Sequence, residues 1–70
     1  MKAIKIYSKP TYNGNIYFLG YFNGFMNDGT ILTARNQNEA VEFEDYDEFE
    51  DMLVKLNAYD FTIAKPAFAA

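Results

Sequence analysis

The chain reads as a small α+β domain: a mostly antiparallel β-sheet, in the order ββββαβ, with one amphipathic helix packed on one face. Three observations predict it. Apolar and polar residues alternate with period two from Lys2 to Ser8, and a second run, apolar on both faces, follows from Ile16. Asn13-Gly14 stands between these runs, and that pair favours the positive φ of a tight hairpin. From Tyr46 the apolar period changes to that of a helix, directly after the capping residue Asp45.

The elements follow in order. In Lys2–Ser8, Ile4 and Ile6 point one way, Lys5 and Tyr7 the other. The second strand, Ile16 to Phe22, is apolar on both faces, and Gly20 within it signals a bulge or a close backbone approach. Asn23-Gly24 and Asp28-Gly29 are both turn pairs. The chain either turns twice there or forms one loop carrying Phe25 and Met26; the loop is favoured, since two turns would leave a very short strand. Thr30–Ala34 is the third strand, Arg35–Asn38 a polar turn and Ala40–Phe43 a short fourth strand. Asp45 caps the helix, with Glu48 at the capping-box position. Tyr46, Phe49, Met52, Leu53 and Leu56 form its apolar stripe, and Asn57 closes it in the left-handed conformation. Asp60–Ala64 is the last strand, with Phe61 and Ile63 on one face. Pro66 ends it, and 67–70 fray.

Seventy residues make one domain, 1–70. A chain this short buries roughly 60% of the surface its unfolded form exposes. It has no cysteine or histidine, so neither a disulfide nor a Cys/His zinc site can staple it. Its resource is apolar density: half the residues are hydrophobic and 19% aromatic. The net charge of −4 disfavours phosphate backbones and anionic membranes. Residues 1–6 carry no long apolar run, and no membrane span is expected. A cytoplasmic protein is the reading that follows.

Catalytic parts are hard to find. Ser8 is the only serine and has no identifiable base, and the glycines lie in turns rather than between a strand and a helix. No enzyme and no cofactor are expected. Glu44, Asp45, Asp47 and Glu48 offer oxygen ligands, but without the spacing or glycine of a calcium loop. An acid-rich helix start, favoured by the helix dipole, is the simpler account, and no metal site is expected.

The acids themselves are concentrated. Glu39, Glu42, Glu44, Asp45, Asp47, Glu48, Glu50 and Asp51 form one stretch with no interleaved Lys or Arg. The apolar stripe turns Asp47, Glu50 and Asp51 outward. One reading is a solvated face that keeps the protein soluble. The sharper one is a ridge of Glu44, Asp47, Glu48, Glu50 and Asp51 that meets a basic protein surface of the kind that holds nucleic acid.

The second strand carries a different signal. A two-residue hairpin at Asn13-Gly14 sets Tyr12 opposite Asn15 and Ile6 opposite Tyr21. One face then collects Ile4, Ile6, Tyr17, Leu19 and Tyr21, the other Lys5, Tyr7, Lys9, Phe18 and Phe22. One helix covers only one face, so Tyr7, Phe18 and Phe22, with Phe25 from the following loop, are candidate interface aromatics. A bulge at Gly20 or a wrapped terminus would instead tuck some of these rings away. Self-association would supply burial that so short a chain lacks. Lysines near Tyr7, Tyr12 and Tyr17 invite base stacking, yet the chain is acidic and has no RNA-recognition motif, so direct nucleic-acid binding is not expected.

The run Ile31-Leu32-Thr33-Ala34-Arg35-Asn36-Gln37-Asn38-Glu39-Ala40-Val41-Glu42-Phe43, continuing into Asp45-Tyr46-Asp47-Glu48-Phe49 and Leu53-Val54-Lys55-Leu56, resembles small accessory proteins of phages and prophages. In these a polar turn leads through a short strand to an acidic helix and a last strand. The resemblance covers roughly the second half of the chain and implies an inhibitor of host defence or host machinery. Two functions are therefore expected of the chain. One is a non-enzymatic protein-binding module of phage-inhibitor type acting through its acidic helix. The other is a small homo-oligomeric structural or ligand-sequestering protein assembled through its aromatic sheet face.

Overall fold

A computed structural model describes residues 2–9, 12 and 14–68. Its architecture is the α+β one: a four-stranded antiparallel sheet in the order β3-β2-β1-β4 with one helix packed on it. The strands are β1 (Lys2–Ser8), β2 (Tyr17–Phe25), β3 (Ile31–Ala34) and β4 (Thr62–Phe68); the helix α1 spans Tyr46–Asn57. The first strand is central, and its Ile4 and Ile6 are almost wholly buried beneath the helix.

The β1–β2 ladder departs from a two-residue hairpin. Lys5 faces Tyr21 and Ile6 faces Gly20, but Tyr7 faces Phe18 and Ser8 faces Tyr17. Two β2 steps therefore match one β1 step, and Leu19 is the extra residue of a bulge. Past a bulge, the alternation of faces inverts. Phe22 consequently turns to the helix side beside Ile4 and is 2% exposed, while Tyr21 takes the open face. The ladder ends at Ser8 and Tyr17, so the connection is longer than the expected turn. Asn13 lies outside the described residues; Gly14 has a φ of 77°.

Gly20 serves this geometry directly. A Cβ there would lie 2.8 Å from the Ala34 carbonyl oxygen and 2.9 Å from Thr33 Cβ, at a φ of 139°. Only glycine lets β3 approach β2 this closely at that backbone angle.

Several expected boundaries move. Asn23 to Gly29 is neither a long loop nor two turns: β2 runs on through an irregularity to Phe25, which faces Ile31. The reversal is a tight one, closed by the Met26 N–H donating to Thr30 O and the Gly29 N–H to Met26 O. Within the expected Arg35–Asn38 turn a short 3-10 helix begins, spanning Gln37–Glu39. The expected strand at Ala40–Phe43 shrinks to one bridge, Phe43 with Lys2, plus a hydrogen bond from Val41 N–H to Phe22 O. Phe43 itself is a core residue, buried among Phe22 and Phe49.

The helix begins where Asp45 caps it: Asp45 Oδ1 accepts from the Asp47 N–H at 2.8 Å. Phe49 and Leu56 are fully buried, with Met52 and Leu53 packed partly against the core. Tyr46 belongs to the outer surface instead, 58% exposed. It sits in the first turn, its ring centre 6.4 Å from that of Phe49. Asn57 does not close the helix in a left-handed conformation. The helix ends through Ala58, whose N–H donates to Val54 O and Lys55 O. The chain then reverses with Phe61 at a φ of 63° and its ring in solvent. That places Phe61 before β4, not on a face shared with Ile63.

The last strand also runs further than expected, through Pro66 to Phe68. Ala67 is buried and Phe68 packs its ring 6.1 Å from Phe49, so neither frays; residues 69–70 lie outside the described ones. The reason proline is tolerated lies in the edge of β4. Ala64 N–H and C=O point away from β1 and are both met by the Asn57 side chain, which accepts from Ala64 N at 2.8 Å and donates to Ala64 O at 3.1 Å. Two residues on, the nitrogen of Pro66 points the same way, where a donor is not needed.

Candidate protein-binding surfaces

Two exposed surfaces are built on opposite sides of the sheet. The first is the outer side of α1. Burial of Phe49 and Leu56 fixes the helix rotation, so Asp47 and Asp51 project furthest from the core, with Val54 between the last turns. Glu48 and Glu50 lie on the two flanks. All four acids are exposed, as are Glu42, Glu44 and Asp45 on the approach to the helix. The five residues of the expected ridge, Glu44, Asp47, Glu48, Glu50 and Asp51, are all exposed, and Lys55 stands beside Glu48 and Asp51. Asp45 differs from its neighbours in being engaged by the helix end.

Apolar groups are set into this acidic surface. Val54 is 70% exposed. Tyr46 lies beside Glu50, whose carboxylate takes a hydrogen bond from the phenol and holds its pKa above the usual tyrosine range; the charge of Asp47 adds to this. Lys2 Nζ sits 5.9 Å from the centre of the Tyr46 ring. On the other flank a shallow cleft of about 290 Å³ lies between Phe43, Glu48, Asp51, Met52 and Lys55. Among the described residues no three acids converge as metal ligands would; they radiate from the helix.

The second surface is the sheet face away from α1. Tyr7, Phe18 and Tyr21 form a chain of ring contacts there, Tyr7 to Phe18 at 5.3 Å and Phe18 to Tyr21 at 5.4 Å. Lys65 Nζ stands 5.6 Å from the Tyr7 ring centre, and Lys5 pairs with Lys65 across the strands. Two of the four expected interface aromatics, Tyr7 and Phe18, lie here. Phe22 does not, because the bulge at Leu19 turns it into the core. Phe25 does not either: it packs at 5.2 Å on Phe22 and stacks on Tyr59 on the helix side, with Lys55 Nζ 4.7 Å above its ring. Tyr21 takes their place. The signal that would have found it is Gly20, once the bulge is taken to reset the alternation.

A larger cleft, about 410 Å³, lies on the helix side beyond the end of α1. Ile6, Leu19, Ile31, Thr33, Tyr59 and Thr62 line it, and the Asp28–Gly29 turn forms its rim. Tyr59 Oη donates to Gly29 O at 3.2 Å across this rim. Asp28 Oδ1 accepts from the Thr30 N–H at 3.0 Å. The Thr30 backbone and side-chain hydrogen bonds hold the Asp28 carboxyl below the ordinary carboxylate range. The lining is apolar and hydroxyl-bearing, with the Asp28 carboxylate at its rim.

Among the described residues no helix is long and apolar enough to cross a membrane. Comparisons with protein-family models, with curated proteins and with solved structures return no match.

Proposed function

We propose that the chain is a non-enzymatic protein-binding module that docks the acidic side of α1 on a basic, nucleic-acid-binding surface of a host enzyme or defence complex, as a cytoplasmic inhibitor of phage type. The observation that supports this is the composition of that side. Asp47, Glu48, Glu50 and Asp51 are all exposed on one rigid helix, and Val54 and Tyr46 lie among them. A basic groove built to hold phosphates presents spaced cations over flat apolar ground. Carboxylates spaced along a helix, with an apolar side chain between them, match such a groove in sign and in shape.

Docking of this kind has a thermodynamic signature. Its charge pairs are screened by salt, with a Debye length of about 10 Å at 0.1 M. Affinity capture from host extract, with the chain immobilised through its C-terminal end, identifies the partner. Titration of the purified pair then reads the salt slope. Affinity is expected to fall about tenfold or more between low and physiological salt, through a slower association rate. Affinity that does not change with salt excludes docking through the acidic side.

A further inference from the structure

The helix stops before the sheet does. At its end Asn57 meets Ala64, the β4 partner of Ile6. The next pair on that face, Ser8 with Thr62, lies past the end of α1. The cleft of about 410 Å³ occupies this uncovered stretch. Small-molecule sites commonly measure about 300–1,000 Å³. Ile6 and Thr62 are buried at its inner side, Ile31 and the half-exposed bulge residue Leu19 wall it, and Asp28 and Tyr59 meet at its rim.

The polar groups of this lining share one property: their protons are already placed. Tyr59 Oη donates to Gly29 O, and Thr62 Oγ1 to Asp60 O. The Thr30 N–H and hydroxyl both go to the Asp28 carboxylate, and the Gly29 N–H goes to Met26 O. What remains for a ligand is lone pairs, on two hydroxyl oxygens and a carboxylate. Thr33, the other hydroxyl of the lining, rotates to suit either role. No Lys or Arg lines the cleft; Lys55, in the last turn of α1, is held over the Phe25 ring instead. Thr62 is also the one buried polar side chain among the described residues, and its bond to Asp60 O is long, at 3.4 Å.

The geometry points to a binding site for a small organic amine. Its apolar body, a ring or a branched chain, lies against Ile6, Leu19 and Ile31. Its ammonium head donates at the rim to the Asp28 carboxylate and Tyr59 Oη. Chemistry selects this occupant. A lining of acceptors with one anion repels a carboxylate or phosphate and has few donors to offer it. A neutral alcohol brings one proton, whereas an ammonium brings three and makes charge-assisted bonds with them. The ligand-sequestering role expected of the aromatic sheet face thus moves to the helix side. This inference does not depend on docking through α1.

The test is amide chemical-shift mapping on the isotope-labelled chain with 2-phenylethylamine, which is protonated at neutral pH. The acids of α1 attract any cation, so the site is read from which amides move. Shifts at Leu19, Thr30, Ile31, Tyr59 and Thr62 are expected to saturate together. The uncharged analogue 2-phenylethanol is expected to bind about tenfold more weakly, and 3-phenylpropionate to leave these amides unmoved. Asp28→Asn, which keeps an oxygen for the Thr30 N–H, is expected to weaken the amine about tenfold with an unchanged circular dichroism spectrum. If Asp28→Asn does not fold, Leu19→Arg decides, since a cation at that exposed wall position is expected to abolish saturable binding. Shifts confined to Asp47–Asp51, or shifts at the cleft that never saturate, overturn the inference. So does an alcohol bound as tightly as the amine, or a folded Asp28→Asn or Leu19→Arg chain that binds the amine like wild type.

Discussion

Asn57 is a helix residue that completes a strand. Its amide donates to Leu53 O at 2.9 Å within the helix and also meets both backbone groups of Ala64. Ala64 is 6% exposed, so water cannot readily replace those contacts. Asn57→Ala is expected to cost roughly 1–3 kcal/mol, because a buried donor and acceptor lose their partner together. Urea denaturation measures this, and Asn57→Asp is expected to recover little, since a carboxylate cannot donate to Ala64 O. Asp28 is a smaller case with a definite sign. Its folded-state pKa is lowered by the Thr30 hydrogen bonds, so its stabilisation is present above the ordinary carboxylate range and is lost as pH falls through the folded value. The stability gap between wild type and Asp28→Ala is therefore expected at neutral pH and should close in acid. A gap that widens in acid would reverse the assignment.

At the scale of elements, the helix was legible because its period is long and its start is marked. Asp45 and the spacing of Phe49, Met52, Leu53 and Leu56 leave one rotation that buries no acid, and that is the rotation observed. The same reasoning placed Asp47, Glu50 and Asp51 outward. Leu56, fully buried, is expected to cost roughly 2–5 kcal/mol on truncation to Ala, whereas Val54→Ala on the opposite side should lie within about 0.5 kcal/mol of wild type. Thermal melts of the two variants check the rotation, and the reverse order would mean the helix faces the other way. The second strand was less legible for a physical reason. A bulge adds one residue without altering the hydrophobic character on either side of it, so Ile16–Phe22 reads as an unbroken alternation. The error then passes to every residue beyond Leu19, which is how Phe22 came to be read as surface and Tyr21 as core-facing. Pro66 misled in a related way. Proline ends a strand unless its nitrogen faces a free edge, and only the topology β3-β2-β1-β4 says that it does.

For the whole molecule, size governs the argument. Five large side chains, Phe22, Phe49, Ile4, Ile6 and Leu56, are fully buried, a small core for a chain that must fold without a disulfide or a zinc staple. Much apolar surface remains outside it. Four of the ten acids, Asp47, Glu48, Glu50 and Asp51, stand on α1 with exposed Val54 and Tyr46 among them, while the Tyr7, Phe18 and Tyr21 rings stand across the sheet. The α1 contact is the central claim. It is tested most directly by replacing Asp47, Glu50 and Asp51 together with Lys, all three exposed and outside the core. Binding of that variant to the captured host partner is then compared with wild type by calorimetry at low salt. The predicted result is a loss of affinity of at least about a hundredfold with an unaltered thermal melt. A partner bound with wild-type affinity by the folded triple variant would contradict it.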